Sequence, residues 1–151
     1  MSIFNALNTS ASALTSQRLR MDVISSNIAN AQTTRATIDE NGEYEPYRRK
    51  MVALEHNQNH FKSFLHKAKR SNQNHTAGVK VSRIINDQEP FKLEYNPTHP
   101  DADESGYVQL PNVDPLKEMV DLMSATRSYE ANITSLNATK NMLMKSLEIG
   151  K

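Results

Sequence analysis

The sequence predicts a mainly α protein with a small β element: two long terminal helices pairing as an antiparallel coiled coil, with a β-rich segment inserted between them. Three observations carry this expectation. All six prolines fall between Pro46 and Pro115, which leaves both ends free to be helical. The end segments repeat apolar residues in steps of three, four and seven. The middle alternates apolar and polar residues, the period of a strand.

In the first segment Leu7, Leu14, Met21 and Ile28 repeat at sevenfold spacing, with Ile3 one turn before Leu7 and Ile24 filling in. They predict a helix over residues 3–30, about 40 Å long. Its charges are only Arg18, Arg20 and Asp22. The closing stretch "SSNIANAQTT" holds Asn27 and Asn30 among Ser, Thr, Ile and Ala, where a solvated helix face would carry Lys and Glu. Small polar residues let backbones approach closely, and Asn offers donors and acceptors together. The expectation is a helix with neighbours on several sides. The plainer reading is an ordinary helix end, which Asn and Ser also favour.

In the middle, Asn41-Gly42 is a turn signal, followed by a strand expected over residues 47–54. "GVKVSRII", "PFKLEY" and "GYVQL" read as further strands, and Pro97, Pro100 and the acidic residues 101–104 as an ordered loop. Residues 56–75 stand apart. They are rich in Asn, Gln, His and Lys around Phe61, Phe64 and Leu65, and read as a surface excursion with a short helix over 61–69.

The last segment opens with "NVDPLKEM", in which Asp114 can cap and Pro115 can take the first helical position. No Gly or Pro follows until Gly150. Met119, Leu122, Thr126, Tyr129, Ile133, Leu136, Lys140, Leu143 and Leu147 step by threes and fours, a heptad seam on a helix of about 50 Å with two polar interruptions. "SYEANITSLNAT", with Asn132 and Asn137, repeats the style of the first helix. The expected organisation is an N-terminal helix in residues 1–34, an inserted β-rich segment in 35–112 and a C-terminal helix in 113–151.

Composition excludes several function classes. A net charge of +1 on 151 residues gives no electrostatic case for nucleic acid or an anionic membrane. No apolar run approaches the roughly 20 residues of a bilayer span. The start "MSIFNALNTSASAL" has neither a basic region nor a continuous apolar stretch, so no cleaved secretion signal is expected. Without cysteine there are no disulfides or thiolate metal sites.

His56 and His60, with His66 and His75, lack the rigid support a zinc site needs and read as solvated. Asp101, Asp103, Ser105 and Gly106 match the first positions of a calcium loop, but Asn112 stands where a bidentate Glu is required, so a turn is expected. Lys62, Lys67, Lys69 and Arg70 beside Phe61 and Phe64 form too small a patch for single-stranded nucleic acid. "YRRK", residues 47–50, is expected to pair with acids of an adjacent subunit, such as those at 101–104. No nucleophile–base or buried carboxylate constellation suggests catalysis, and no metal or other cofactor is expected. Met119, Met123, Met142 and Met144 read as adaptable packing between helices.

"SSNIANAQTT" resembles the signature shared by the rod, hook and hook-associated axial proteins of the bacterial flagellum. "EPYRRKMV", "GVKV", "YNPTHPDADESGYVQLPNVDPLKEMVDLMSATRSYEANI" and "NATKNMLMKSLEIGK" resemble, in the same order and over nearly the whole chain, the proximal rod members of that family. Residues 56–75 depart from the family pattern, and no contact is carried over to them. The resemblance implies a non-enzymatic subunit of the proximal rod, the drive shaft of the basal body, assembling through its terminal helices into a helical tube that transmits torque. It implies export through the flagellar type III apparatus without a cleaved signal, and a place in the periplasm. The implied partners are further copies, other rod proteins, the adaptor joining rod to membrane ring and the surrounding ring proteins.

Residues expected at the assembly interface are Leu7, Leu14, Met21, Ile24, Asn27, Ile28 and Asn30 on the first helix. On the last helix they are Met119, Leu122, Tyr129, Asn132, Ile133, Leu136, Leu143 and Leu147. The rival reading is a soluble coiled-coil adaptor whose β element holds a ligand.

Overall fold

The structure is a computed structural model that describes residues 3–38, 42–56 and 78–149. The excursion beyond His56, with its expected short helix, lies outside the described residues. Helix α1 spans Ile3–Ala29, and its Ser and Thr content has a local explanation. The hydroxyls of Thr9, Thr15 and Ser16 donate to the carbonyls of Asn5, Ala11 and Ser12, four residues back, at 2.8–3.0 Å. These polar groups are therefore satisfied within the helix itself. After Ala29 the chain tightens. The Ala31 N–H donates to Ile28 O at 3.2 Å, and the Asn30 side chain donates to Ser26 O at 2.8 Å.

Strands β1 (Thr37–Ile38) and β2 (Tyr44–Glu45) pair antiparallel, Thr37 opposite Glu45 and Ile38 opposite Tyr44. This short pair is absent from the sequence expectation. Gly42, at φ +83°, supplies the left-handed conformation the connection needs. Strand β3 (Lys50–His56) starts three residues later than the expected position 47. The backbone just before it is committed elsewhere: the Tyr47 N–H donates to Thr33 O at 3.1 Å and the Arg49 N–H to Asn112 Oδ1 at 2.8 Å. Strand β3 pairs with β4 (Val79–Asn86), and β5 (Lys92–Tyr95) pairs antiparallel with β6 (Tyr107–Leu110), Lys92 opposite Leu110 and Tyr95 opposite Tyr107.

The loop between β5 and β6 is a chain of turns, as expected from its prolines. Asn96 N–H donates to Gly106 O at 2.9 Å and Gly106 N–H to Asp103 O at 2.8 Å, with Gly106 at φ +78°. Helix α2 spans Pro115–Ile149. Asp114 caps it, its Oδ1 accepting from Leu116 N–H and its carbonyl accepting from Glu118 N–H, both at 3.0 Å. Pro115 occupies the first helical turn, where its missing N–H is no loss.

The chain forms two compact units, each drawing on both helices and on the β3–β4 pair. One comprises residues 1–19, 53–83 and 125–151. Ser16, Ala125 and Thr139 are buried there, and Gly78 lies so close to α1 that a methyl group on it would overlap Ser12. The Ser12 hydroxyl bridges this contact, accepting from Val79 N–H at 3.1 Å and donating to Thr9 O at 2.7 Å. The other unit comprises residues 20–52 and 84–124. Val23, Ile24, Tyr47, Val108, Pro111 and Val113 are buried there, around the polar side chains Asn27, Asn112 and Glu118.

Candidate functional site

Asn27, from the "SSNIANAQTT" stretch, is 1% exposed and uses its amide completely. Its nitrogen donates to Lys50 O at 2.9 Å and to Glu118 Oε2 at 3.0 Å. Its oxygen accepts from Lys50 N–H and from the Tyr47 hydroxyl, each at 3.0 Å. Towards Lys50 the side chain thus acts as a piece of neighbouring strand, accepting from one peptide group and donating to its carbonyl. An Asn side chain has two donors and two acceptor positions, and all are taken.

Glu118 is likewise 1% exposed, and Arg49 makes its charge tolerable. Arg49 Nε donates to Glu118 Oε1 at 2.6 Å, and the guanidinium extends to Asp87 Oδ2 at 3.3 Å and Asp121 Oδ2 at 3.7 Å. Arg20 reaches the other oxygen of Asp121 at 3.5 Å. Burial works against the Arg49 charge, but the carboxylates of Glu118 and Asp87 outweigh it and hold its pKa above the usual value. The Glu89 N–H, donating to Asp87, together with Arg49 lowers the Asp87 pKa below the ordinary carboxylate range. Asn112 completes the clamp, accepting from Arg49 N–H and donating to Glu89 O at 3.1 Å.

Two arginines of the "YRRK" run have partners inside the chain. Arg49 pairs with Asp87, Glu118 and Asp121 of its own chain. Arg48 stacks over the Phe91 ring at 4.3 Å. Asp101 is taken by Arg35 and by the Thr34 hydroxyl, the latter at 2.7 Å, which lowers its pKa. Asp101 is thus engaged within the chain. Arg35, which also lies 5.2 Å from the Tyr44 ring centroid, borders an open recess of about 360 Å³ whose lining mixes Glu43, Glu45, Asp101 and Asp103 with Thr34 and Gln109. No group of three or more metal-ligating side chains occurs among the described residues.

On α1, Ile24 and Asn27 are buried, while Leu7, Leu14, Met21, Ile28 and Asn30 are half-buried. On α2 the covered positions Glu118, Leu122, Ala125, Tyr129, Asn132, Leu136, Thr139 and Leu143 run in alternating steps of four and three. This row shares Leu122, Tyr129, Leu136 and Leu143 with the expected seam. Its alternate members lie one residue earlier than the expected Met119, Thr126, Ile133 and Lys140. Met119, Ile133 and Leu147 are consequently exposed, at 50, 37 and 75%. Leu116, Val120 and Met123 accompany Met119 at the start of α2, at 76, 61 and 54%. Spacings of three and four put these four residues on one face.

Sequence reasoning singled out Asn27 and Glu118's helix but not the Arg49–Glu118 pair. Its one signal was the dense basic run before β3, which a buried acid elsewhere had to answer.

Two family models match the chain: "Flagella basal body rod protein" over residues 7–37 and "Flagellar basal body rod FlgEFG protein C-terminal" over residues 104–149. The first covers most of α1 with the Asn27 signature, and the second covers β6 and α2. The chain is 62% identical over 151 residues to the flagellar basal-body rod protein FlgC of Bacillus subtilis, covering 100% of both. It is 43% identical to the FlgC of Borreliella burgdorferi, over 99% of this chain and 98% of the relative. To the FlgC of Salmonella typhimurium it is 39% identical over 100% of both. The polar clamp and the capped, apolar-faced helix are thus parts of a structural protein: the chain belongs to the FlgC family of flagellar basal-body rod proteins.

Proposed function

We infer that the chain builds the rod by presenting the exposed face of α2 to neighbouring subunits. It is a structural subunit of the flagellar basal-body rod, like its full-length relatives, which are structural proteins and not enzymes. The observation that carries the reading is the patch of Leu116, Met119, Val120 and Met123, each at least half exposed on a helix whose opposite side is fixed by Glu118. A patch of this kind marks an interaction surface.

In this reading the clamp holds the ends of the helices in register and the exposed face does the assembling. The finer arrangement follows the family resemblance: helices in residues 1–34 and 113–151 pair as an antiparallel coiled coil in an inner layer, and the β-rich segment 35–112 meets adjoining layers. One compact unit contains both the first part of α1 and the last part of α2, which supports that pairing. Heterologous contacts between copies then extend into a helical tube that carries torque. The remaining expected neighbours are other rod proteins, the adaptor to the membrane ring and the surrounding ring. Export through the type III apparatus to a periplasmic position belongs to the same reading. No helix among the described residues is long and apolar enough to cross a membrane.

Leu116→Asp tests it. The side chain is 76% exposed, so the isolated chain keeps its fold, while a carboxylate buried against a neighbour costs several kcal/mol. The expected outcome is normal export with loss of rod assembly and motility. Wild-type motility of this variant contradicts the reading.

A further inference from the structure

Methionine is distributed unevenly among the described residues. Met21 and Met51 are half-buried, whereas Met119, Met123, Met142 and Met144 are exposed, at 50, 54, 64 and 52%. All four exposed thioethers lie on α2. Met119 and Met123 are four residues apart and stand one turn above each other, with Leu116 and Val120 completing the patch. Met142 and Met144 are two apart and point to different sides. The backbone that presents Met119 is held by its neighbour Glu118, bonded to Arg49 and Asn27. Leucine would give the same patch comparable apolar area and be inert to oxidants. Methionine gives an adaptable, polarizable contact that is chemically labile.

We propose that Met119 and Met123 form an oxidation site that controls whether the α2 face docks. The co-reactant is a hydroperoxide, hydrogen peroxide being the simplest. A thioether sulfur lone pair attacks one peroxide oxygen and the O–O bond breaks. The proton of the transferred oxygen passes to the departing hydroxide, which leaves as water. Sulfur is oxidised by two electrons and the peroxide is reduced by two. The sulfoxide that results is polar and carries a strong acceptor, so an apolar contact that covers it leaves that acceptor without a donor. Reduction by a methionine sulfoxide reductase restores the apolar face. The consequence for docking rests on the assembly reading above; the selectivity of oxidation does not.

The first measurement is peptide mass mapping of the full-length chain after dilute hydrogen peroxide. Met119 and Met123, like the comparably exposed Met142 and Met144, should gain oxygen at least roughly fivefold faster than the half-buried Met21 and Met51. Rates at Met119 and Met123 no higher than at Met21 and Met51 overturn the site. The second compares Met119→Gln/Met123→Gln, which carries comparable polarity, with Met119→Leu/Met123→Leu, each as the only copy in the cell. The Gln pair should be exported, with helical circular dichroism unchanged, yet enter rods roughly tenfold less, the factor of one unpaired polar group. The Leu pair should enter rods as wild type does. Normal incorporation of the Gln pair while Leu116→Asp fails overturns the oxidation proposal alone. Normal incorporation of Leu116→Asp overturns the assembly reading, and with it the effect on docking.

Discussion

Replacing Asn27 with alanine leaves the Lys50 peptide, the Tyr47 hydroxyl and one Glu118 oxygen without the partner each now has. Unsatisfied groups in a buried site are the expensive kind of loss, and the expected destabilisation is about 3 kcal/mol. Urea unfolding should show a lower midpoint with an unchanged slope. A midpoint shift worth less than about 1 kcal/mol would mean that the groups find other partners. Asp87 sets the acid limit of the same clamp. Its pKa is lowered in the folded chain by the Glu89 N–H and by Arg49, so its contribution is present above the unfolded value and is lost as pH falls through the folded one. Stability should therefore decline below about pH 4, where an unfolded aspartate takes up its proton. Asp87→Asn should flatten that decline without abolishing it, because Asp101 is shifted in the same direction by Arg35 and Thr34. Parallel acid-unfolding curves for the two proteins would contradict this. At this scale the sequence showed which residues were unusual but not whom they faced. Asn27 stood out because it replaces the charge expected near a helix end. Its partners Lys50 and Glu118 are distant in the chain, and no local pattern links them.

The helices were legible as elements because their signals are local. Asp114 and Pro115 start α2 where a cap and a first-turn proline belong, and the lack of Gly and Pro lets it run to Ile149. Which face of α2 is covered was not legible. A search for apolar periodicity selects Met119 and Ile133, whereas the covered row takes Glu118, Ala125, Asn132 and Thr139 at the alternate positions. Glu118 can lie there only because Arg49 and Asn27 meet it. The β1–β2 pair escaped notice because two residues per strand hold no period. The small residues of α1 find part of their reason at Gly78, whose backbone sits on Ser12. Gly78→Ala should lower stability by about 1–3 kcal/mol through that overlap. Ser12→Gly makes room, at about 1 kcal/mol for glycine inside a helix. In the double variant the two effects should therefore sum to less than their separate values, a coupling that a double-mutant cycle measures. Strict additivity would show that the two sites do not touch in solution.

At the scale of the whole molecule, one set of residues satisfies itself inside the chain and another is left over. The clamp of Asn27, Arg49, Asp87, Asn112 and Glu118 has its partners within one compact unit. The start of α2 has an apolar face whose four large side chains are each 50–76% exposed. We propose that this surplus meets neighbouring subunits of the rod, since an exposed apolar face is suited to assembly. The absence of cysteine makes the central claim directly measurable, because a single introduced thiol is the only one in the chain. Val120→Cys places it in the middle of the face, at a position 61% exposed. Maleimide labelling is then compared between the purified chain and intact basal bodies containing the same variant. The expected result is rapid labelling of the free chain and strong protection in the basal body. Equal labelling in both states would show that this face meets no neighbour in the rod.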